Sequence, residues 1–422
     1  MINKPNTILT YNFMAKQKSK SLKIGITFGI KEPGQNNFWV NGIIQNVVML
    51  SKALKSTERK HKVYLLNTSQ HSDPNLPFDT KQFPVVDFWK EHQKMDLIIY
   101  LATSVTPDIT AAYKKANPKG KVVSYKCGNN YVIEMERIIF GGGDKSMIVG
   151  NDTAVDQVWQ IPQQEYQNQY YYETLYRKSV ITVPFVWDPM FLEKEVSAID
   201  INHKAGDKRF PKPARYQPSK EKMLSIFEPN MNVVKFCMMP LLLAERAYRN
   251  SEVKDKIKFL SLTNAMGLGT NAMFVDVVKR LDIYNDKKVF VEARYPMPFF
   301  LSQHTDIVLS HQWENPLNYA YLDAMYMDYP IVHNADFIKD GGYFYPDFDI
   351  KKGEEVLIDV ILNHDKDLEA YKEKNKPVLE RYMSTSKELG KAYDLLIDNL
   401  FKDPEANENL VYNWKTNTYQ WE

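Results

Sequence analysis

Several things that would settle a function at once are scarce or missing. Cysteine occurs only at Cys127 and Cys237 in 422 residues, which excludes a disulfide scaffold and fits a reducing cytoplasm. No apolar run reaches the roughly 18 residues of a membrane span. Residues 1–23 lack the compact hydrophobic segment of a secretory signal, so a cytoplasmic protein is expected. Charge of one sign is not in excess: 54 Lys and Arg against 52 Asp and Glu leave +2, which gives no global electrostatic reason to expect a nucleic-acid partner. The eight histidines show no metal-ligand spacing, and no Asp-x-Asp pair closes an expected strand, so no metal cofactor is expected. Acidic residues are missing from the start, where Lys4, Lys16, Lys18, Lys20 and Lys23 precede Glu32. Residues 1–21 therefore read as a flexible basic tail, either solvated or weakly tethered to the inner face of an anionic membrane.

What is present belongs to a folded protein. Hydrophobic residues make up 44%, aromatic residues 13% and charged residues 25%, which argues against disorder. The length is enough to bury two ordinary cores, so two domains are expected.

Strand and helix signals alternate along the chain. Leu22–Phe28 reads as a first strand, followed by a polar loop over Gly29–Asn37. A helix then begins near Asn41, with Ile43, Val47, Leu50 and Leu54 on one face. Further strands are expected at Lys62–Leu66, Asp96–Leu101, Lys121–Tyr125, Met147–Gly150 and Val180–Val183, with helices around Pro107–Asn117 and Tyr166–Tyr176. Residues 194–222 carry Pro211, Pro213, Pro218 and many charges, the composition of a linker. A second half restarts at Met223–Phe227 and adds strands at Lys256–Leu262 and Lys288–Glu292, with a helix over Asn271–Leu281. Lys366–Phe401 is largely helical, and the aromatic end, Val411–Glu422, is expected to be docked because free tails are rarely so aromatic.

One stretch organises the second half: Ser310–Asn334, SHQWENPLNYAYLDAMYMDYPIVHN. It follows a buried strand pattern at Asp306–Ser310. Asn315-Pro316 reads as an N-cap followed by proline at the first helical position. Leu317, Ala320, Ala324 and Met327 face a core, and Asp328-Tyr-Pro330 stops the helix before a short strand, Ile331–His333. Strand, loop, capped helix and strand is part of an open α/β sheet, which binds ligands beyond the carboxyl ends of its strands.

These residues resemble a segment of GT-B nucleotide-sugar glycosyltransferases, E-G-F-G-L-x-x-x-E-A-M-x-x-G-x-P-V-V. Asp323-Ala-Met325 stands at the second Glu-Ala-Met, Tyr329–Val332 at x-P-V-V, and Asn315, preceded by Glu314, at the first Glu. Asp and Asn replace the two glutamates, and the glycines are gone. The wording HQWENPLNYxYLDA, YPIVHN and GYFYPDFD is similar to an uncharacterised bacterial family described as glycosyltransferase-like. Val180–Phe191 resembles the GT-B strand and turn that end the first domain, and Lys23–Asn67 its first βαβ unit. The resemblance implies two Rossmann-like α/β domains facing a cleft. It places an acceptor domain over 22–193, a linker over 194–222 and a donor domain over 223–395, with residues 396–422 returning to the first domain.

It also implies a chemistry. A glycosyltransferase of this sort takes a nucleotide-sugar donor and a glycan or glycolipid acceptor, here without metal and with retention. Asp323 is the implied ribose ligand, since a carboxylate accepts two hydroxyl hydrogen bonds. Asn315, Leu317, Asn318, Tyr319 and Asn230 join it on the donor side. His311 flanks the helix there, or is a satisfied rim histidine. Gly42 presents backbone N–H groups to an anion, or simply caps a helix. Lys235 matches the lysine of R-x-x-x-x-K, Asn230 stands at its arginine, and Arg294 is the replacement cation, unless each is a structural charge. Glu314 and Glu136 are the acidic catalytic candidates, with Asn129, Asn130 and Glu134 on the acceptor side; an exposed helix face explains the glutamates as well. A non-catalytic binding protein or a nucleotide-sugar epimerase on the same fold is the alternative.

Overall fold

A computed structural model describes residues 20–32, 38–39, 41–141 and 153–420. The strand expected at Met147–Gly150 and most of the basic tail lie outside the described residues.

The first half begins with β1 (Lys23–Phe28), α1 (Gly42–Ser56), β2 (Lys62–Asn67), β3 (Val85–Asp87) and the short α2 (Phe88–Glu91). It continues through β4 (Leu97–Tyr100), α3 (Pro107–Ala116), β5 (Lys121–Lys126), α4 (Asn130–Phe140), β6 (Gln157–Gln160), α5 (Glu165–Tyr176), β7 (Val180–Thr182) and α6 (Met190–Lys204). Every strand pairing is parallel, in the order β3-β2-β1-β4-β5-β6-β7. Parallel strands are covered on both faces, so they read as continuous apolar runs; Leu97–Tyr100 is buried throughout.

The second half repeats the plan with β8 (Lys222–Ile226), α7 (Met238–Tyr248), β9 (Ile257–Leu262), α8 (Ala272–Val278), α9 (Asp282–Asn285) and β10 (Val289–Val291). Then come α10 (Met297–His304), β11 (Ile307–Leu309), α11 (Tyr319–Tyr326), β12 (Ile331–His333) and β13 (Tyr343–Phe344). This sheet is also parallel, ordered β10-β9-β8-β11-β12-β13. In each sheet the chain reverses direction of growth at its first strand, between β1 and β4 and between β8 and β11. These switch points open a crevice at the carboxyl ends of the strands, and the two crevices face each other.

The chain closes with α12 (Ile350–Asn363), α13 (Leu368–Tyr382), α14 (Lys387–Lys402) and a hairpin of β14 (Val411–Asn413) and β15 (Thr418–Gln420). Helix α14 lies on α1, where Arg59 pairs with Asp398 and His61 meets Asp394 at 3.1 Å. In the hairpin the Asn417 amide bonds both N and O of Phe185 at 2.8 Å, while Trp414 stacks on Phe337 at 5.9 Å. The aromatic end is docked on both domains. The largest core runs from β1 and α1 through Trp187 into α11 and α14, so apolar packing is continuous across the domain boundary.

Two local expectations are corrected. Lys194 and its neighbours are not linker: α6 runs through to Lys204, and only 205–221 is irregular. Helix α11 starts at Tyr319, and its N-cap is Asn318, whose side chain accepts from Ala320 N at 3.4 Å. Asn315 is instead buried in the preceding loop, its N–H bonded to the side chain of Gln312. The local Asn-Pro signal is overridden by Gln312, whose side chain accepts from Asn315 N and is itself anchored on the Asn334 carbonyl.

Candidate functional site

The facing crevices form one cleft with two lobes, of about 250 Å³ and about 420 Å³. Gly42, Lys235, Arg294, Asn318 and Tyr319 line both lobes and mark the junction. Nearly every wall is a segment that follows a strand. Trp39 and Gly42 follow β1, Cys127 follows β5, Gln163 follows β6 and Asp188 follows β7. From the other sheet come Pro229 and Lys235 after β8, Asn264 after β9, Arg294 and Tyr295 after β10, and Asn318 after β11.

The junction is basic. Burial pushes the Lys235 amine down to about 8, against the pull of the Glu228 carboxylate. Glu228 is itself buried and pushed up to about 7, although Ser310 donates its hydroxyl and His311 its N–H, at 3.3 Å, to the same carboxylate oxygen. Its other oxygen, Oε2, has no hydrogen-bond partner. Lys235 therefore sits in a low-dielectric wall, where a cation acts on a ligand more strongly than in water. Arg294, from the same domain, lines the same junction.

The start of α11 meets the start of α1 across the cleft. Asn46 Nδ2 donates to Tyr319 Oη at 2.6 Å. Gly42 makes the approach possible, since a Cβ there would lie 3.1 Å from the Tyr319 ring. The Asn41 side chain accepts from the N–H groups of Ile43 and Ile44, so it caps α1.

One turn further along α11, Asp323 lines the smaller lobe, and Trp187 Nε1 donates to its Oδ1 at 2.9 Å. Burial pushes the Asp323 carboxyl up to about 7, although the Trp187 bond opposes the shift. From the other domain Glu195, on α6, lines the same lobe; burial first and the Asp323 charge second push it up to about 8. Asp188, also in that wall, is already satisfied by Lys52 at 2.7 Å, by Ser384 and by Met190 N. Sequence reasoning missed Glu195 and Trp187. The usable signal was the spacing of Asp188, Phe191, Leu192 and Glu195, one helical face that combines carboxylates with apolar residues.

The structure thus brings Lys235, Arg294, Asp323, Asn318, Tyr319, Gly42 and Leu317 together. Leu317 lines the larger lobe, and its carbonyl accepts from Gln163 at 3.2 Å.

Other candidates stand elsewhere. Glu314 is exposed, with φ at 50°, and outside the residues that line the cleft. Asn230, with φ at 55°, spends its amide on the carbonyls of Glu228 and Thr263 and on Cys237 N, so it shapes a turn and replaces no arginine. His311 is buried against Tyr345, bonded to its hydroxyl at 2.9 Å, and burial pushes it down to about 4. His333 is likewise internal, bonded to Gly341 O and Ala335 N. On α4, Asn129 is the N-cap, Asn130 accepts from Tyr172, and Glu134 accepts from Tyr171. Glu136 accepts from Val233 N at 3.1 Å, which ties α4 to the second domain. These are packing and capping roles, set by neighbours that sequence spacing does not show. Among the described residues no group of three or more His, Cys, Asp or Glu is placed to hold a metal, and no helix is long and apolar enough to cross a membrane.

The profile of a family described as protein of unknown function (DUF2827) matches residues 24–397. Among curated proteins none matches the sequence. Many solved structures match in fold, two of them as follows. One is the O-GlcNAc transferase of Thermobaculum terrenum, with TM-score 0.52 and 11% identity over 92% of this chain and 69% of that one. Another is the UDP-forming α,α-trehalose-phosphate synthase of Burkholderia xenovorans, solved with glucose-6-phosphate. It has TM-score 0.50 and 9% identity over 90% of this chain and 100% of that one. The two parallel sheets and their shared cleft are the GT-B architecture.

Proposed function

The chain belongs to the DUF2827 family, and for it we propose a glycosyltransferase that moves a sugar from a nucleotide-sugar donor to a hydroxyl of a glycan or glycolipid. The observation that carries this reading is the cleft itself, with two cations at the junction of two lobes and the start of α11 beside them. That is the arrangement a diphosphate needs, with fixed charge beside a helix start in a partly dry site.

In this reading the nucleoside occupies the smaller lobe, with its ribose toward Asp323. The sugar occupies the larger lobe, among the amides of Asn41, Asn46, Gln163 and Asn318. The bond from the sugar anomeric carbon to the diphosphate oxygen breaks as the acceptor oxygen bonds that carbon. Lys235 and Arg294 stabilise the charge that grows on the diphosphate. Among the described residues lining the larger lobe there is no carboxylate, which supports retention: the acceptor proton passes to the departing phosphate oxygen, not to a side-chain base. Fixed protein charge takes the place of a metal ion.

The test is a thermal-shift and calorimetry screen against UDP, GDP, ADP, CMP and their sugars, followed by nucleotide release in excess EDTA with acceptor present. The reading expects one nucleotide family to stabilise the fold, and release to survive chelation. No stabilisation by any of them removes the transferase reading. Activity that is lost in EDTA and restored by Mn²⁺ removes metal independence.

A further inference from the structure

Asp323 and Glu195 reach the same cavity from different domains, one on α11 and one on α6. Asp323 is not a free carboxylate: its Oδ1 already accepts from the indole of Trp187 at 2.9 Å, which leaves Oδ2 as the oxygen open to a ligand. A vicinal diol offers two O–H donors and is best matched by two acceptor oxygens a few ångströms apart. Both carboxyls are desolvated, and the Asp323 charge adds to the cost of charging Glu195. A hydroxyl donor entering between them relieves that cost.

We propose that Glu195 is a donor-positioning residue, and that the ribose diol of the nucleotide is held between Asp323 of one domain and Glu195 of the other. This rests on the transferase reading and adds to it a selectivity: the diol is recognised by both domains at once, so 2′-deoxynucleotides lose the contact that joins them. Asp188 is excluded as the second acceptor because Lys52, Ser384 and Met190 N already occupy it.

The test is calorimetry with UDP, GDP and ADP and their 2′-deoxy counterparts on the wild type, Glu195→Ala and Glu195→Gln. In the wild type the best ribonucleotide is expected to bind about tenfold tighter than its deoxy form, the worth of one hydrogen bond. Glu195→Ala should bring that ratio close to one, chiefly by weakening the ribonucleotide, and Glu195→Gln, which keeps an acceptor oxygen, should fall between. Equal affinity for ribo and deoxy forms in the wild type, or a ratio untouched by Glu195→Ala, overturns the clamp while leaving a nucleotide site in place. Absence of binding by every nucleotide overturns both readings together.

Discussion

The indole of Trp187, fully buried where the first domain ends, donates a 2.9 Å hydrogen bond to Asp323 on the first helix after β11 of the second. This bond holds a cleft carboxylate in place from the opposite domain. Trp187→Phe removes the donor and leaves a cavity, and should cost about 2–4 kcal/mol of stability. It should also raise the Asp323 carboxyl further, because the Trp187 bond is what opposes its upward shift. Urea titration of the variant, with the Asp323 carboxyl followed by NMR, checks both. A loss below about 0.5 kcal/mol, within the range of ordinary surface substitutions, would show that the bond is not formed in solution.

Lys235 sets a pH limit on anion binding. Its amine is held down to about 8 by burial, so above that pH the cation is lost. Affinity for a nucleoside diphosphate should then weaken by up to about tenfold per pH unit. Glu228 faces the amine from the end of β8 and Arg294 shares the junction. Lys235→Arg keeps its charge and should move the limit upward. Calorimetry from pH 6.5 to 9.5 on both proteins is the measurement; identical profiles would place the titrating group elsewhere.

Stability should fall between about pH 4 and pH 8 through three buried carboxyls. Asp323, Glu228 and Glu195 are raised to about 7, 7 and 8 in the fold, whereas the unfolded chain releases these protons near pH 4. In that window the native state binds more protons, so the unfolding free energy decreases as pH rises. Glu195→Gln removes one of these groups and should flatten the slope. Chemical denaturation at pH 5, 6, 7 and 8 reads it, and parallel slopes in wild type and variant would reject the shift at Glu195.

Tyr319 joins the two helix starts. Tyr319→Phe deletes the 2.6 Å bond from Asn46 and strands a buried amide, for about 1–2 kcal/mol. Gly42→Ala puts a methyl 3.1 Å from the Tyr319 ring and makes that ring give by a few tenths of an ångström at the cleft junction. The second change should lower donor affinity severalfold while leaving each domain folded by circular dichroism. Unaltered affinity in Gly42→Ala would mean that the two helix starts separate when the donor binds.

The alternation of apolar strands with helices was legible in the sequence because parallel strands are buried on both faces. Lys235 and Asp323 could be read as site candidates because the GT-B resemblance gave each a motif position, and both line the cleft. Asn315 misled because its local pattern is that of a cap, while its actual partner is the Gln312 side chain. His311 reads as a cleft residue until Tyr345 is seen to cover it. Glu195 was missed for the opposite reason. Lys194-Glu195 opens the proline- and charge-rich stretch that reads as a linker, and only the second domain, folded far along the chain, turns this part of α6 into a wall.

The polypeptide passes between the domains twice, once through 205–221 and once where α13 gives way to α14 beside Trp187, whose N–H and carbonyl bond Tyr382 O and Ser384 N at 2.8 Å. Two attachment points define a line. Between them runs the apolar core that continues from one domain into the other. The two walls of the cleft, Lys235 and Arg294 on one side and the start of α1 on the other, are therefore held in register by the chain itself at two places and by packing between them.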